Sequence, residues 1–250
     1  MEIALDPNMP TYSGGLGMLA GDTLRSAADL GAALAAVTLV YRKGYFRQHL
    51  DPAGNQSEEP QQWDPERTLT EVAGRVSVEI EQRPVWIRAW QYDVLGIDGD
   101  IIPVYLLDTN LPENSEWDRH LTDFLYGGDE RYRLAQEIIL GIGGFQLLRK
   151  LGHDRIQAYH MNEGHSALLA LGLLERRLDQ SFAGRVKQLD IDGIQRMCIF
   201  TTHTPVPAGH DQFPKPLVKQ LLCDERVALL DETQALHGDA LNMTYLALRF

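Results

Sequence analysis

The chain has 250 residues, 44% of them hydrophobic, and a formal net charge of −12. This length supports one large domain with its own core. The acidic balance argues against a nucleic-acid-binding protein, because such proteins use lysine and arginine to neutralise phosphates. The sequence contains no run of about 18 apolar residues, which is the pattern that indicates a transmembrane helix. Two cysteines suit a reducing compartment, so we expect a cytoplasmic protein without membrane or nucleic-acid partners.

The predicted elements alternate between helices and buried strands. A glycine-rich turn at 13–17 precedes a helix with apolar residues at three- and four-residue spacing up to Leu30, and residues 32–41 form an apolar run typical of a strand covered on both faces. Further along we predict an exposed loop at 48–64, strands at 76–80, 85–94 and 101–107, a helix at 131–151, a strand at 156–161, a helix at 163–178, a strand at 196–201, a loop at 202–211, and helices at 217–222 and 241–248.

This pattern indicates an α/β fold with a doubly wound, mostly parallel, Rossmann-like sheet. The predicted strands at 76–80 and 85–94 contain alternating apolar residues, and turn residues at 96–100 separate them from the strand at 101–107. This pattern predicts an antiparallel β insertion over about 50–110 rather than a separate domain. We therefore expect a single domain over 1–250.

The first candidate site is the glycine-rich turn Ser13-Gly14-Gly15-Leu16-Gly17. Glycines let the backbone turn sharply and let a ligand approach the main chain. The helix that follows offers free N–H groups and a positive dipole end, which favour an anion such as phosphate. A tight helix entry without a ligand is the alternative.

Two further loops carry histidines and hydroxyl groups at the ends of predicted strands, where open α/β sheets bind ligands. One contains Glu163 and His165; the other runs through 201–211 and contains His203 and Thr204. Hydroxyls and imidazoles suit hydrogen bonding to a polyol, while Glu163 at a helix start also suits the helix dipole and His165 also suits local packing. The histidine spacings match no standard zinc pattern, so we predict no metal site.

A fourth candidate, 41–48, places three positive charges and several rings just after the buried strand. Arg42 and Tyr45 are the residues of this segment that we expect to line a cleft for sugar and phosphate. The alternative is a surface face whose long side chains lie along apolar neighbours.

Several blocks together resemble the α-glucan (glycogen/maltodextrin) phosphorylase family. They are Met9-Pro10-Thr11-Tyr12-Ser13-Gly14-Gly15-Leu16-Gly17-Met18-Leu19-Ala20-Gly21-Asp22, Tyr41-Arg42-Lys43-Gly44-Tyr45-Phe46-Arg47-Gln48, Met161-Asn162-Glu163-Gly164-His165, the segment 201–211, and Leu241-Asn242-Met243-Thr244. They occur in the family's order, and the resemblance covers nearly the whole chain.

The resemblance implies a two-domain, B-type glycosyltransferase fold that phosphorolyses α-1,4-glucan or maltooligosaccharide with inorganic phosphate. The product is α-D-glucose 1-phosphate, with retained configuration. It further implies that the amides of Gly14 and Gly15 stabilise phosphate, that Leu16 touches the reacting glucosyl unit, and that His203 lies near its 6-hydroxyl. Glu163 and His165 take the positions of a cleft acid–histidine pair, although animal enzymes have Asp-Thr where Glu163-Gly164 stands here.

The family binds pyridoxal 5′-phosphate as a Schiff base to a lysine in a C-terminal domain that we do not find in this sequence. We therefore expect an N-terminal part, truncated at both ends and inactive alone. The resemblance leaves open a homo-oligomer for the full-length protein. Two other readings stay open: half of a nucleotide-sugar-dependent glucan synthase, whose loop usually carries a lysine where Tyr12-Ser13 stands, and a non-catalytic glucan-binding module.

Overall fold

A computed structural model describes residues 1–181, 185–206 and 209–250. Its α-helices are α1 Gly15–Asp29, α2 Glu116–Arg119, α3 Glu130–Ile138, α4 Gly144–Lys150, α5 Leu169–Ser181, α6 Gln188–Gln195, α7 Lys215–Leu221, α8 Asp224–Glu232 and α9 Met243–Arg249. Its strands are β1 Ala36–Leu39, β2 Arg47–Leu50, β3 Gln56–Glu59, β4 Thr70–Glu71, β5 Val76–Ile80, β6 Arg83–Leu95, β7 Ile101–Asp108, β8 Tyr159–Asn162, β9 Cys198–Thr201, β10 Gln212–Pro214, β11 Leu236–His237 and β12 Ala240–Asn242.

The chain divides into two compact units. The first unit comprises 2–74 and 88–128, and the second comprises residue 1, 75–87 and 129–250. Within the three described stretches, no helix combines the length and the apolar character that crossing a membrane would need.

The first unit is built on a mixed sheet. Strand β1 pairs parallel with β7, β7 pairs antiparallel with β6, and β6 pairs antiparallel with β4. Helix α1 packs on this sheet through Leu24 and Ala28, which share a core with Val104 and Leu106. The strand predicted at 101–107 is confirmed as β7, and every residue of β7 from Val104 to Asp108 is buried.

Two predictions in the first unit need correction. The apolar run at 32–41 forms a strand only from Ala36, because Ala32 to Leu34 are exposed. The segment 48–64, predicted as a loop, contains the hairpin β2–β3. Every residue of both strands is exposed, so the sequence shows no alternation of buried and exposed positions that would indicate strands. Asp51 closes the turn by accepting a hydrogen bond from the amide of Asn55 at 2.8 Å.

The second unit begins with a tight hairpin of β5 and the first residues of β6. Its turn uses Glu81 and Gln82, both with positive φ, the geometry that suits two-residue hairpins. The helix predicted at 131–151 is confirmed as α3 and α4, joined by a π-helical turn at Ile139–Gly143. Strands β8 and β9 pair in parallel.

Other parts of the second unit differ from the sequence prediction. The helix expected from residue 163 begins only at Leu169, after a 3₁₀ turn at Gly164–Ser166. Helices α6 and α8 and the small antiparallel sheet β10-β12-β11 were not predicted. Mixed α/β content is confirmed: among the described strands, β1 pairs parallel with β7 and β8 with β9, and antiparallel strands lie beside the first pair.

Candidate functional site

The glycine loop, residues 13–17, opens helix α1 in the first unit. Gly14 is the extended N-cap residue, and no side chain caps the helix. The amides of Ser13 and Gly14 donate to Oε2 of Glu2 at 2.6 and 3.1 Å. The amides of Gly15, Leu16 and Gly17 donate to no group among the described residues. Three backbone donors therefore remain for a ligand at the positive end of a helix dipole.

The three glycines of the loop serve different purposes. A Cβ on Gly17 would lie 2.5 Å from Tyr12 Cβ and 2.8 Å from Glu2 Oε2, so packing requires glycine there. A Cβ on Gly14 or Gly15 would meet nothing within 4 Å. Neither residue has positive φ, so nothing in the described chain requires glycine at these two positions, and open space lies where a ligand could approach.

Tyr45 is linked to the glycine loop through two intervening side chains, Tyr126 and Glu2. Its ring centroid is 4.2 Å from that of Phe46 and 6.2 Å, edge-on, from that of Tyr126. The hydroxyl of Tyr126 donates to Oε1 of Glu2 at 3.1 Å, and Glu2 holds the loop amides. Tyr45 itself is 38% exposed, which leaves part of its ring available to a ligand.

Arg42, expected to bind substrate, is engaged inside the first unit. Its Nη2 lies 2.6 Å from Oδ2 of the fully buried Asp108, which also accepts from Arg88 and from the Trp90 indole. Burial alone would raise the pKa of Asp108, but the hydrogen bonds and charge of Arg42 outweigh it and lower the pKa. The side chain of Arg42 therefore has a structural partner that its predicted role did not include.

The predicted loop at 202–211, called the histidine loop below, follows β9 in the second unit and is anchored by Glu163. Oε1 of Glu163 accepts from the amides of His203 and Thr204, the second at 3.0 Å, and Oε2 accepts from the Thr202 hydroxyl at 3.3 Å. Glu163 is 4% exposed and holds φ 69° and ψ 170°, a backbone region that disfavours side chains. Such strain persists only where surrounding contacts enforce it. Pro207 and Ala208 of the predicted loop lie outside the described residues.

The imidazole of His203 is oriented from the neighbouring strand. Its Nε2 lies 2.8 Å from Oδ1 of Asn162, the last residue of β8. The amide oxygen can only accept, so Nε2 is the donor in this contact, and in the neutral ring Nδ1 is left as an acceptor. Glu163 and Asn162 together fix both the backbone and the ring of His203.

His165 belongs to a separate buried group in the second unit. Its Nδ1 lies 3.1 Å from Asp211 Oδ2 and 3.0 Å from Arg133 Nη2, and 4.0 Å from Oε1 of the fully buried Glu137. Burial lowers the pKa of His165 to about 4, although the hydrogen bond to Asp211 opposes this. Burial raises the pKa of Glu137 well above its usual value, and the charge of Asp211 adds to that effect.

Glu137, His165 and Asp211 are residue types that bind metal ions, and their ligand atoms lie within 4.8 Å of one another. Arg133 already supplies positive charge to this group, with Nη2 2.8 Å from Asp211 Oδ2. A guanidinium that bonds the same carboxylate competes directly with a cation for it. We therefore assign this group no metal.

The structure thus gathers the predicted residues into two sets, each within one unit. The first unit holds Gly14, Gly15, Leu16, Gly17, Arg42 and Tyr45, and the second holds Glu163, His165, His203 and Thr204. Sequence reasoning missed the orienting residues Glu2, Asn162 and Arg133. Asn162 lies within one of the blocks that resemble the phosphorylase family, and this resemblance was the only sequence feature that could have pointed to it.

Comparison with known proteins identifies relatives along the whole chain, although no family model matches it. The maltodextrin phosphorylase of Thermococcus litoralis is 40% identical over 100% of this chain and 30% of its own length. The glycogen phosphorylase of Mycobacterium tuberculosis is 40% identical over 90% of this chain and 27% of its own length. That of Aquifex aeolicus is 30% identical over 88% of this chain and 31% of its own length.

This α/β chain is therefore similar in sequence, over 88% or more of its length, to proteins named maltodextrin or glycogen phosphorylase. The chain belongs to the α-glucan phosphorylase family. It spans about a third of the length of these curated relatives or slightly less.

Proposed function

We propose that this chain supplies glucan- and phosphate-binding loops for the phosphorolysis of α-1,4-glucan to α-D-glucose 1-phosphate. The observation that carries the proposal is the glycine loop, where three amides have no partner among the described residues and two glycines face open space. This loop lies in a chain 40% identical to a maltodextrin phosphorylase.

The chemistry suits such a loop. Cleavage of a glycosidic bond builds positive charge on the sugar ring, and the attacking phosphate must be held beside that ring. Backbone donors that are already aligned stabilise an anion without reorganising during the reaction. The amides of Gly15, Leu16 and Gly17 would hold the phosphate in this way, at the positive end of α1.

The histidine loop would bind the sugar. With Nε2 bonded to Asn162, the His203 ring keeps Nδ1 free to accept a hydrogen bond from a hydroxyl of the glucosyl unit. Glu163 would act by positioning His203 and Thr204 rather than by transferring a proton, because both of its oxygens accept hydrogen bonds from the loop. His165, buried beside Arg133, would stabilise the base of the loop.

We further propose a B-type glycosyltransferase fold and pyridoxal phosphate for the whole protein. In the full-length enzyme this cofactor would supply a phosphate group for proton transfer. The chain's own lysines do not fit the covalent attachment. Lys43 and Lys215 are paired with Asp123 and Asp231, and the other three lie on the exposed surface. The attachment would therefore come from a lysine outside this chain.

A chimera tests the proposal. The segment of T. litoralis maltodextrin phosphorylase that matches this chain is replaced by the 250 residues, and glucose 1-phosphate release from maltoheptaose is measured with and without phosphate. We expect the chimera to release glucose 1-phosphate only when phosphate is present. In its His203→Ala variant, the rate of this release should fall by about 100-fold or more. The 250-residue chain alone should release no glucose 1-phosphate.

The same assay separates the alternatives. A folded chimera that transfers glucose from ADP-glucose and ignores phosphate would favour a glucan synthase. A chain that binds maltoheptaose while the folded chimera releases no glucose 1-phosphate would favour a non-catalytic glucan-binding module. Either result would contradict the proposed phosphorolysis.

A further inference from the structure

Glu2 is a buried carboxylate that lies against the glycine loop. It is 6% exposed and accepts four hydrogen bonds. Oε2 accepts from the Ser13 amide at 2.6 Å, the Ser13 hydroxyl at 3.2 Å and the Gly14 amide at 3.1 Å, while Oε1 accepts from Tyr126 at 3.1 Å. Glu2 forms no ion pair with the side chains described in the structure.

The loop is shaped to admit this carboxylate. Burying a carboxylate is costly unless donors surround it. Gly17 has no side chain where a Cβ would lie 2.8 Å from Glu2 Oε2. Ser13 contributes both its amide and its hydroxyl, and Tyr126 adopts a positive φ of 58°. Glu2 therefore occupies, as an internal anion, the N-terminal edge of a turn whose geometry suits anions.

We propose that Glu2 is a positioning residue of the anion site: its carboxylate takes the amides of Ser13 and Gly14 and so confines the substrate anion to Gly15, Leu16 and Gly17. The inference rests on the proposed function and refines it, because the family resemblance implied that the amide of Gly14 binds phosphate. The fixed negative charge also opposes the anion, so it lowers phosphate affinity while it fixes the geometry.

Backbone NMR of the 250-residue chain during titration with inorganic phosphate at low salt tests this assignment. In the wild-type chain, we expect phosphate to shift the amide resonances of Gly15, Leu16 and Gly17 and to leave those of Ser13 and Gly14 nearly unchanged. In Glu2→Ala the two freed amides become available, so the shifts extend to Ser13 and Gly14.

Two further variants separate charge from shape. Glu2→Gln keeps an oxygen acceptor and removes the charge, so the dissociation constant for phosphate falls by roughly threefold or more. Asp22→Asn is the matched control, since it removes one charge from the same helix at a side chain that is 67% exposed. It leaves both the pattern of shifts and the affinity as in the wild type.

Specific outcomes overturn the inference. One is a wild-type titration in which Ser13 and Gly14 shift as much as Gly15. Another is a Glu2→Ala pattern identical to that of the wild type or, if that variant does not fold, an unchanged affinity in Glu2→Gln. A third is the absence of any phosphate-induced shift in the loop. The proposed function is judged independently, by glucose 1-phosphate release from the chimera.

Discussion

The glycine loop and the histidine loop differ in whether their polar groups are already hydrogen-bonded. In the glycine loop, three amides lack partners among the described residues, and two glycines face open space. In the histidine loop, the amides of His203 and Thr204 are bonded to Glu163, and the His203 ring is bonded to Asn162. The first loop is suited to bind through groups left open, and the second through a side chain held fixed. Substitutions at the open positions of the first loop should therefore affect ligand binding, and removal of the anchor of the second loop should affect folding stability.

The largest expected effect on stability is at Glu163. Glu163→Ala leaves the amides of His203 and Thr204 without their acceptor, so we expect the free energy of unfolding to fall by about 3 kcal/mol. Urea denaturation measures this change.

Glu163→Gly is the matched control, because it removes the same carboxylate but tolerates the positive φ of this position. It should be more stable than Glu163→Ala by about 1 kcal/mol. Equal stability of the two variants would show that the backbone at 163 is not strained, and a small loss in both would show that the loop needs no anchor.

An intermediate effect is expected within the glycine loop. Gly17→Ala forces a methyl group against Tyr12 and Glu2, so it should destabilise the chain by about 2 kcal/mol. Gly15→Ala meets no atom within 4 Å and should change stability by less than about 0.5 kcal/mol. Thermal unfolding of the two variants checks this difference.

If Gly15→Ala destabilised the chain as much as Gly17→Ala, glycine at 15 would be required by the fold itself. The contrast between open and packed glycines would then fail.

The last expected effect is a pH dependence of the stability at Glu137. The pKa of Glu137 is raised above its usual value of 4.5 in the folded state. Glu137 therefore makes its full contribution to stability at pH values below 4.5, and this contribution is lost as the pH rises through the folded-state pKa. Glu137→Gln does not titrate, so its stability relative to the wild type should increase as pH rises above 4.5.

Urea denaturation between pH 4.5 and 8 follows this difference. The contribution of His165 to stability is lost as the pH falls from 6.5 towards about 4. Because His165 is present in both proteins, this contribution largely cancels when the two are compared. Glu130→Gln, at an exposed position of the same helix, should show no such trend. A difference between Glu137→Gln and the wild type that does not vary with pH would mean that Glu137 titrates normally.

Local patterns predicted several of the helices. The helical spacing before Leu30 predicted α1, and the helical signal across 131–151 predicted the helix formed by α3 and α4. The exposed hairpin β2–β3 has no buried face, so its sequence carried no comparable signal. The residue types of the glycine and histidine loops indicated candidate sites before any contact was known.

The orienting residues could not be found in this way, because their partners are distant in the chain. Glu2 contacts Ser13, 11 residues away, Asn162 contacts His203 over 41 residues, and Arg133 contacts Asp211 over 78. Such contacts arise from tertiary packing, which leaves no spacing rule in the sequence. For the same reason Arg42 looked like a ligand-binding cation until its contact with Asp108 was visible.

The phosphate dependence of phosphorolysis in the chimera, compared with its Gly15→Ala variant, tests the central claim most directly. If the space at Gly15 is kept open for an anion, a methyl group there should raise the KM for phosphate by about tenfold or more, equivalent to about 1.4 kcal/mol, at unchanged thermal stability. An unchanged KM for phosphate in a folded, active variant would contradict the account.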